Sequence, residues 1–202
     1  MRQHSGTYKP NDMKSKAFAS KIPTAKRKLA LKSSKETLED VFEDMLKDIY
    51  WAEKFLTKAL TKMAKASYNE DLQEAFESHL GETTNHIERL EKCFEILELR
   101  PIGKKCEAME GLVKEGAEVI EDYEKNHARD AALIAAAQKI EHYEISTYGT
   151  LRTMANVLGK LQCAELLEEI KDEEVEADEK LTVLAERINQ MAAEVQEEEE
   201  VV

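Results

Sequence analysis

Apolar residues recur at every third or fourth position along most of the chain, and this spacing is typical of amphipathic α-helices. Almost no stretch alternates apolar and polar residues as a β-strand would. The pattern is interrupted by Pro, Gly and short polar residues, for example at Pro101 and Gly103. The predicted helices span about residues 37–66, 69–99, 107–125, 131–157 and 161–193.

Four of these helices are long, and the one at 107–125 is short. A long connection in the middle of four helices is typical of the ferritin-like variant of the four-helix bundle. The sequence therefore predicts an all-α fold, a ferritin-like up-down four-helix bundle with a crossover helix between bundle helices 2 and 3.

Three residues at predicted helix ends suit capping. Thr37 followed by Asp40 resembles a capping box at the start of the first helix. Asp130 is a residue type favoured at the N-cap, and we expect it to cap the helix at 131–157. Gly159 suits the left-handed conformation that often follows the last turn of a helix.

Charge and periodicity divide the chain into three parts. Residues 1–35 carry ten Lys or Arg against one acid, a net charge of +9, and lack lasting periodicity, which predicts a disordered basic arm. Residues 36–193 are the predicted bundle domain, and residues 194–202 are an acidic tail. Beyond the arm the chain has 19 basic and 41 acidic side chains, a net charge of −22. This excludes a nucleic-acid-binding bundle, although the arm alone could contact DNA.

No apolar run approaches the roughly 20 residues that span a membrane, and no segment has the apolar core of a signal peptide. We therefore expect no membrane association and a cytoplasmic location. The three cysteines, Cys93, Cys106 and Cys163, form no CxxC pair. We interpret them as buried or free thiols of a reducing compartment.

Five ionisable residues interrupt the apolar stripes of the four long helices, where leucine would be expected: Glu53, Glu82, His86, Glu141 and Glu174. A buried carboxylate is costly unless a partner neutralises its charge. A carboxylate-bridged metal pair inside the bundle explains all of these interruptions at once. Carboxylates with a few imidazoles suit iron or manganese better than a zinc–thiolate site. We therefore predict two iron ions, or two manganese ions, per chain.

Three further residues lie on the same helix faces, because residues three or four apart share a face. The full set of predicted metal-site residues is Glu53, His79, Glu82, His86, Glu141, Glu144, Glu174 and Asp178. Glu144 and Asp178 suit a solvated flank equally well, and His79 also suits a core histidine bonded to a carboxylate. Glu173 competes with Glu174 for the inward position.

Six segments of the chain form a recognisable pattern. They are DIYWAEK at 48–54, HLGET at 79–83, IERL at 87–90, CEAMEGL at 106–112, RDAALIAAAQKIEHYE at 129–144 and YGTL at 148–151. Together they resemble the YciF-type ferritin-like family, and the resemblance covers about residues 36–190. It implies a bacterial, cytoplasmic, stress-associated protein, a homodimer with a di-iron or di-metal site in a ferritin-like bundle.

The sequence departs from the common ferritin-like pattern of Glu-x-x-His on two helices. Its second helix offers Glu82 and His86 four residues apart, or His79 and Glu82 in reversed order. Its last helix offers Glu174 and Asp178 with no histidine. The resemblance therefore does not by itself imply ferroxidase activity, and it assigns no catalytic residue.

The leading functional prediction is a stress-response protein whose di-metal centre handles iron or reactive oxygen species, with O2 or peroxide as partners and a ferroxidase- or peroxidase-like activity. The alternative is a non-catalytic structural or protective bundle, in which the polar residues form a hydrogen-bonded network and the basic arm contacts DNA. An iron-storing cage is a third hypothesis. Cage subunits usually have a further C-terminal helix, so the sequence favours a homodimer.

Overall fold

The structure, a computed structural model, describes the backbone of residues 35–200 and the side chains of residues 35–194. This part of the chain contains five α-helices and no β-strand. The helices are α1 (Leu38–Ala66), α2 (Glu70–Ile96), α3 (Glu107–Asp122), α4 (His127–Val157) and α5 (Leu161–Glu200). The predicted all-α fold is confirmed. The predicted basic arm, apart from Lys35, lies outside the described residues.

The four long helices, α1, α2, α4 and α5, form a ring, and the short helix α3 packs against its outside. Within the ring α1 packs on α2, α2 on α5, α5 on α4, and α4 on α1. The short helix α3 contacts only α1 and α4 appreciably, which is the position expected for the crossover helix. The structure is therefore the predicted ferritin-like bundle, and its four long helices all have a face toward one shared interior.

Two of the three predicted caps are confirmed. The Thr37 hydroxyl accepts a hydrogen bond from the Asp40 backbone N–H (3.1 Å), and the Asp40 carboxylate accepts one from the Thr37 N–H (3.0 Å). Gly159 adopts a φ of 72° directly after α4, a conformation that glycine reaches without strain.

The predicted start of α4 is wrong. The helix begins at His127, four residues before the predicted position, and Asn126 is the N-cap, whose side chain accepts from the Arg129 N–H. Asp130 lies inside the first turn and is fully buried. Its carboxylate accepts from the backbone N–H groups of Tyr68 (2.8 Å) and Asn69 (2.7 Å), so it holds the loop between α1 and α2.

The predicted end of α5 is also wrong, because the helix continues to Glu200 instead of ending at 193. Apolar residues no longer recur at helical spacing after residue 193, and the sequence therefore predicts that the helix ends there. Glutamate, alanine and glutamine are nevertheless good helix formers, so the backbone continues without an apolar stripe.

Asp130→Ala is expected to destabilise the protein by about 3 kcal/mol, because it removes two charge-assisted hydrogen bonds from the fully buried carboxylate to partly buried backbone N–H groups. That change corresponds to a fall in Tm of roughly 6–12 °C for a domain of this size. Circular dichroism melting measures it, with Asp172→Ala, an exposed acid of α5, as the control. Equal Tm values for the two variants would contradict the assigned role of Asp130.

The three cysteines are free and buried, as predicted. In the part of the chain that the structure describes, no helix is both long and apolar enough to cross a membrane.

Candidate metal centre

Six ionisable side chains from the four long helices meet in the interior of the bundle. They are Glu53 of α1, His79 and His86 of α2, Glu141 and Glu144 of α4, and Glu174 of α5. We call this set the buried cluster. His79 is the most exposed member, with 6% of its surface accessible, and the others are at most 2% exposed. All six are among the predicted metal-site residues.

Each member stands on an inward stripe of its helix, which explains why the sequence places it there. Glu53 has buried Ile49 and Leu56 on the preceding and following turns of α1. Similarly, Glu174 lies between buried Ile170 and Ala177 on α5. Residues three or four apart share a helix face, so packing of the apolar neighbours carries each carboxylate into the interior.

The buried cluster divides into two groups that share one carboxylate. The first group is His79, Glu141, Glu144 and Glu174, and the second is Glu53, His86 and Glu174. Within each group the candidate ligand atoms all lie within 4.8 Å of one another. Ligands about 2.1 Å from one octahedral ion lie roughly 3.0–4.2 Å apart, so either group could surround a metal ion.

Glu174 presents a different oxygen to each group. Its Oε2 lies 3.6 Å from His79 Nε2, and its Oε1 lies 3.0 Å from His86 Nδ1. His79 Nε2 is also 3.4 Å from Glu141 Oε1, and His86 Nδ1 is 3.6 Å from Glu53 Oε1. Glu174 could therefore supply one oxygen to each group if metal ions were bound there.

Each histidine ring also contacts a carboxylate outside the buried cluster through its other nitrogen. His79 Nδ1 lies 3.2 Å from Glu82 Oε2, and His86 Nε2 lies 2.8 Å from Glu173 Oε2. Glu173 in turn accepts from Arg89 at 2.6 Å. A carboxylate on the outer nitrogen fixes the imidazole ring and leaves the inner nitrogen free to bind a metal.

Many polar atoms of the buried cluster lack hydrogen-bond partners within the described residues. The eight atoms are Glu53 Oε2, His79 Nε2, His86 Nδ1, Glu141 Oε2, both carboxylate oxygens of Glu144 and both of Glu174. His86 Nδ1 is close to Glu174 Oε1 but lacks the alignment of a hydrogen bond. Unpaired buried polar atoms are rare and costly, so this concentration points to a ligand that all of them can share.

Burial and mutual repulsion shift the acid–base equilibria of the buried cluster. Burial raises the pKa of Glu141 and Glu144 well above the ordinary value, and the charge of Glu174 adds to this. Burial also raises the pKa of Glu53, whereas His86 and His79 lower that of Glu174 despite its burial. Burial disfavours the His86 imidazolium, but Glu174 and Glu53 outweigh it and raise its pKa to about 10.

Two of the predicted residues lie outside both groups. Glu82 is about one-quarter exposed and faces His79 and Lys180; its hydrogen bond to His79 lowers its pKa to about 2. Asp178 is partly exposed and accepts from Gln138 Nε2 at 3.1 Å. Of the open alternatives, Glu144 is fully buried, and Glu174 rather than Glu173 faces inward.

Sequence reasoning missed the hydrogen-bonding role of residues next to the buried cluster. Tyr148 is fully buried and donates from its hydroxyl to Glu53, and the largely buried Arg89 donates to Glu173. Tyr148 lies four residues after Glu144 on the same face of α4, and this spacing was the available signal. Nothing in the sequence distinguishes Arg89 from the other arginines.

Fold and buried cluster together define the class of this protein, a ferritin-like helical bundle with internal His and Glu groups that could hold metal ions. The chain belongs to the family described as "Domain of unknown function (DUF892)", which matches residues 37–194. It is 55% identical to Protein YciF of Escherichia coli (strain K12) over 151 residues, 74% of this chain and 91% of that protein. The predicted YciF-type relationship is confirmed.

Solved structures give the same result. The crystal structure of the E. coli stress protein YciF matches with a TM-score of 0.74 and 53% identity, over 77% of this chain and 98% of that one. The structure of YcfI from Rhodopseudomonas palustris matches with a TM-score of 0.73 and 41% identity, over 75% and 96%. A protein from Xanthomonas campestris pv. campestris, 22% identical, shares the fold with a TM-score of 0.61, over 80% and 99%.

Proposed function

We propose that this protein binds two divalent iron or manganese ions in the buried cluster and uses them to handle iron or reactive oxygen species during stress. The observation that carries the proposal is the shared carboxylate, Glu174, whose two oxygens face two separate groups of unpaired buried ligand atoms. The stress role is drawn from the E. coli relative, which is described as a stress protein.

The charge of the buried cluster supports two divalent ions. It contains four carboxylates and two imidazoles, and among the described residues no Lys or Arg forms a salt bridge with any of those four carboxylates. Two divalent cations would balance four ionised carboxylates with both histidines neutral. Without cations, the interior has to keep some of these groups protonated, which agrees with the raised pKa values of Glu141 and Glu144.

The donor set favours iron or manganese. Both groups offer only carboxylate oxygens and imidazole nitrogens, and neither includes a cysteine. Four Glu and two His is also the usual ligand set of ferritin-like di-iron proteins. The distribution differs, because both histidines come from α2 and the last helix supplies Glu174 alone.

Two such ions, when bound, supply redox chemistry toward O2 or peroxide. The protein's own side chains exclude bulk water, since five of the six members are at most 2% exposed. Glu82 and Glu173 fix the orientation of the histidines, and the Tyr148 hydroxyl fixes one oxygen of Glu53. These contacts hold the inner nitrogens and oxygens in place before metal binds.

The direct test of function is oxidant consumption. Protein loaded anaerobically with two Fe²⁺ per chain is mixed with O2 or with H2O2, and iron oxidation is followed by absorbance. We expect at least one oxidant to be consumed faster than by free Fe²⁺, and the acceleration to be lost in the Glu141→Gln/Glu144→Gln variant. Equal rates for protein-bound and free iron with both oxidants would contradict the redox role.

Metal binding is expected to release protons. Burial raises the pKa of Glu141 and Glu144 well above the ordinary value and so favours their protonated forms, and the pKa of His86 is about 10. All three side chains must be deprotonated to bind metal. Affinity should therefore rise with pH, with at least about one proton released per chain near pH 7. Calorimetric titration with Mn²⁺ in two buffers of different protonation enthalpy measures the release. A pH-independent affinity without release would contradict these protonation states.

The remaining expectations stay predictions. A homodimer, rather than an iron-storing cage, is tested by light scattering of the purified protein. DNA contact through the basic arm concerns residues outside the described part of the chain. We expect such contact to weaken steeply with salt and to disappear when residues 1–35 are deleted.

A further inference from the structure

A small cavity between α2 and α5 reaches the buried cluster from outside. Its volume is about 30 Å³, and it is lined by His79 and Glu141 together with Glu82, Lys180 and Ala177. His79 Nε2 and Glu141 Oε2 are two of the unpaired buried atoms, and both residues are more than nine-tenths buried. About 10–15 Å³ suffices for one water, so this inner cavity can hold a water molecule or a small cation.

A wider surface groove between the same two helices lies next to the inner cavity. This groove has a volume of about 640 Å³ and shares Ala75, Ser78 and Lys180 with the inner cavity. Four of its lining residues are acidic, namely Asp71, Glu74, Glu176 and Glu179. We call it the acidic groove.

The charge of the acidic groove is only partly compensated. Asp71 forms a salt bridge with Arg187, whereas Glu74, Glu176 and Glu179 form none within residues 35–194. Acidic residues lining a concave surface raise the local concentration of cations and can raise association rates by about 10- to 1000-fold. The acidic groove is therefore suited to collecting divalent cations at the mouth of the inner cavity.

Lys180 lines both the inner cavity and the acidic groove, and Glu82 lines the inner cavity. Lys180 Nζ lies 3.5 Å from Glu82 Oε1, and the other oxygen of Glu82 is 3.2 Å from His79 Nδ1. The Lys180 side chain is 55% exposed, and exposed ion pairs of this kind are weak. A divalent cation arriving from the groove could therefore displace the ammonium group from Glu82.

We propose that the acidic groove is the path by which divalent cations reach the buried cluster, and that Lys180 and Glu82 form its gate. Glu82 exchanges Lys180 for the incoming cation and delivers it to His79 and Glu141. Three small residues, Ala75, Ser78 and Ala177, line the inner cavity beside the larger Phe76 and Leu181. This inference rests on the proposed metal-binding function.

The test is the rate at which metal-free protein takes up Co²⁺, followed by stopped-flow visible absorbance. Glu74→Gln/Glu176→Gln/Glu179→Gln should load roughly tenfold more slowly at low salt. The matched control, Glu95→Gln/Glu121→Gln/Glu124→Gln, changes the net charge equally on exposed residues that do not line the groove. The difference between the two variants should disappear near 1 M salt, where the Debye length is about 3 Å.

Two further variants test the gate and the passage. Lys180→Gln should load several-fold faster than the natural protein. Ser78→Leu should load several-fold more slowly, whereas Thr84→Leu, on an exposed position of α2 outside the groove, should not. All of these variants should still bind two Co²⁺ per chain at equilibrium.

The outcomes separate this inference from the proposed function. The proposed path is wrong if all variants bind two Co²⁺ and the groove and gate variants load at the same rates as their controls. That result would leave the proposed metal centre unaffected. Arg89 lies next to His86 and Glu173, on the other side of the buried cluster. If Arg89→Gln is the one variant that loads faster, cations enter from that side and the proposed path is also wrong. If the natural protein binds no Co²⁺, both proposals fail.

Discussion

Glu174→Gln is expected to weaken the binding of both metal ions by more than about a hundredfold, since loss of an outer-shell partner alone costs 10–100-fold. Glu174 is the only member of both groups, and its two oxygens face His79 and His86 separately. The carboxamide keeps the shape of the side chain but loses the charge and one of the two oxygens. Equilibrium dialysis against Mn²⁺, followed by elemental analysis, measures the number of ions retained.

Two further variants test whether the loss of both ions is specific to a carboxylate that both groups share. Glu53→Gln should impair only the second group and leave one ion tightly bound. Asp178→Asn, one helical turn beyond Glu174 but outside both groups, should leave two ions bound. If Glu174→Gln retains one ion with unchanged affinity, Glu174 is not shared and the two-group interpretation is wrong.

Glu144→Gln is expected to stabilise the metal-free protein at neutral pH while removing the metal ion of the first group. Glu144 is fully buried, and neither of its carboxylate oxygens has a hydrogen-bond partner among the described residues. Burial raises its pKa well above the ordinary value of 4.5, so folding works against the ionised form of this side chain. Neutral glutamine avoids this penalty, for an expected gain of about 1–3 kcal/mol.

The pH dependence of this gain has a definite sign. A raised carboxyl pKa means that stability is lost as pH increases above the unfolded value, because the folded state binds more protons. The raised pKa of His86, about 10, acts in the same direction above pH 6.5. The metal-free natural protein should therefore lose stability from about pH 5 toward pH 9, and the advantage of Glu144→Gln should be small near pH 4.

Thermal melting in the presence of a chelator measures the effect. We expect Glu144→Gln to melt roughly 3–10 °C higher than the natural protein at pH 7. Glu165→Gln, an exposed acid of α5, serves as the control for the loss of one negative charge. Added Mn²⁺ should raise the Tm of the natural protein and reduce or reverse the difference. A variant that melts lower than the natural protein without metal would show that Glu144 is already satisfied.

Much of the fold was predictable because apolar periodicity determines which face of each helix is buried. The two errors at helix ends have different causes. At the start of α4, the local sequence does not report a tertiary contact. Asp130 resembles an N-cap, yet its carboxylate binds Tyr68 and Asn69 from another loop, and Asn126 caps the helix instead. The end of α5 has no apolar stripe to mark it.

The candidate site was predictable to the extent that a side chain's direction follows from its own helix. Glu53 and Glu174 replace apolar residues on inward stripes, and the structure buries both. Glu82 and Asp178 lie on the same faces, but at the edge of the interface between helices, where Lys180 and Gln138 reach them. Packing between helices determines which turns of a helix lie at the centre of the bundle and which lie at its rim. A single sequence does not report that packing.

Anomalous diffraction from crystals of the protein grown with Mn²⁺ or Fe²⁺ would locate bound metal ions directly. We expect two anomalous peaks per chain, about 3.5–4 Å apart. Glu174 would lie between them, with His79 at one peak and His86 at the other. A map with no peak inside the bundle, in crystals where Glu53, Glu141, Glu144 and Glu174 remain buried, would show that the buried cluster does not bind these metal ions.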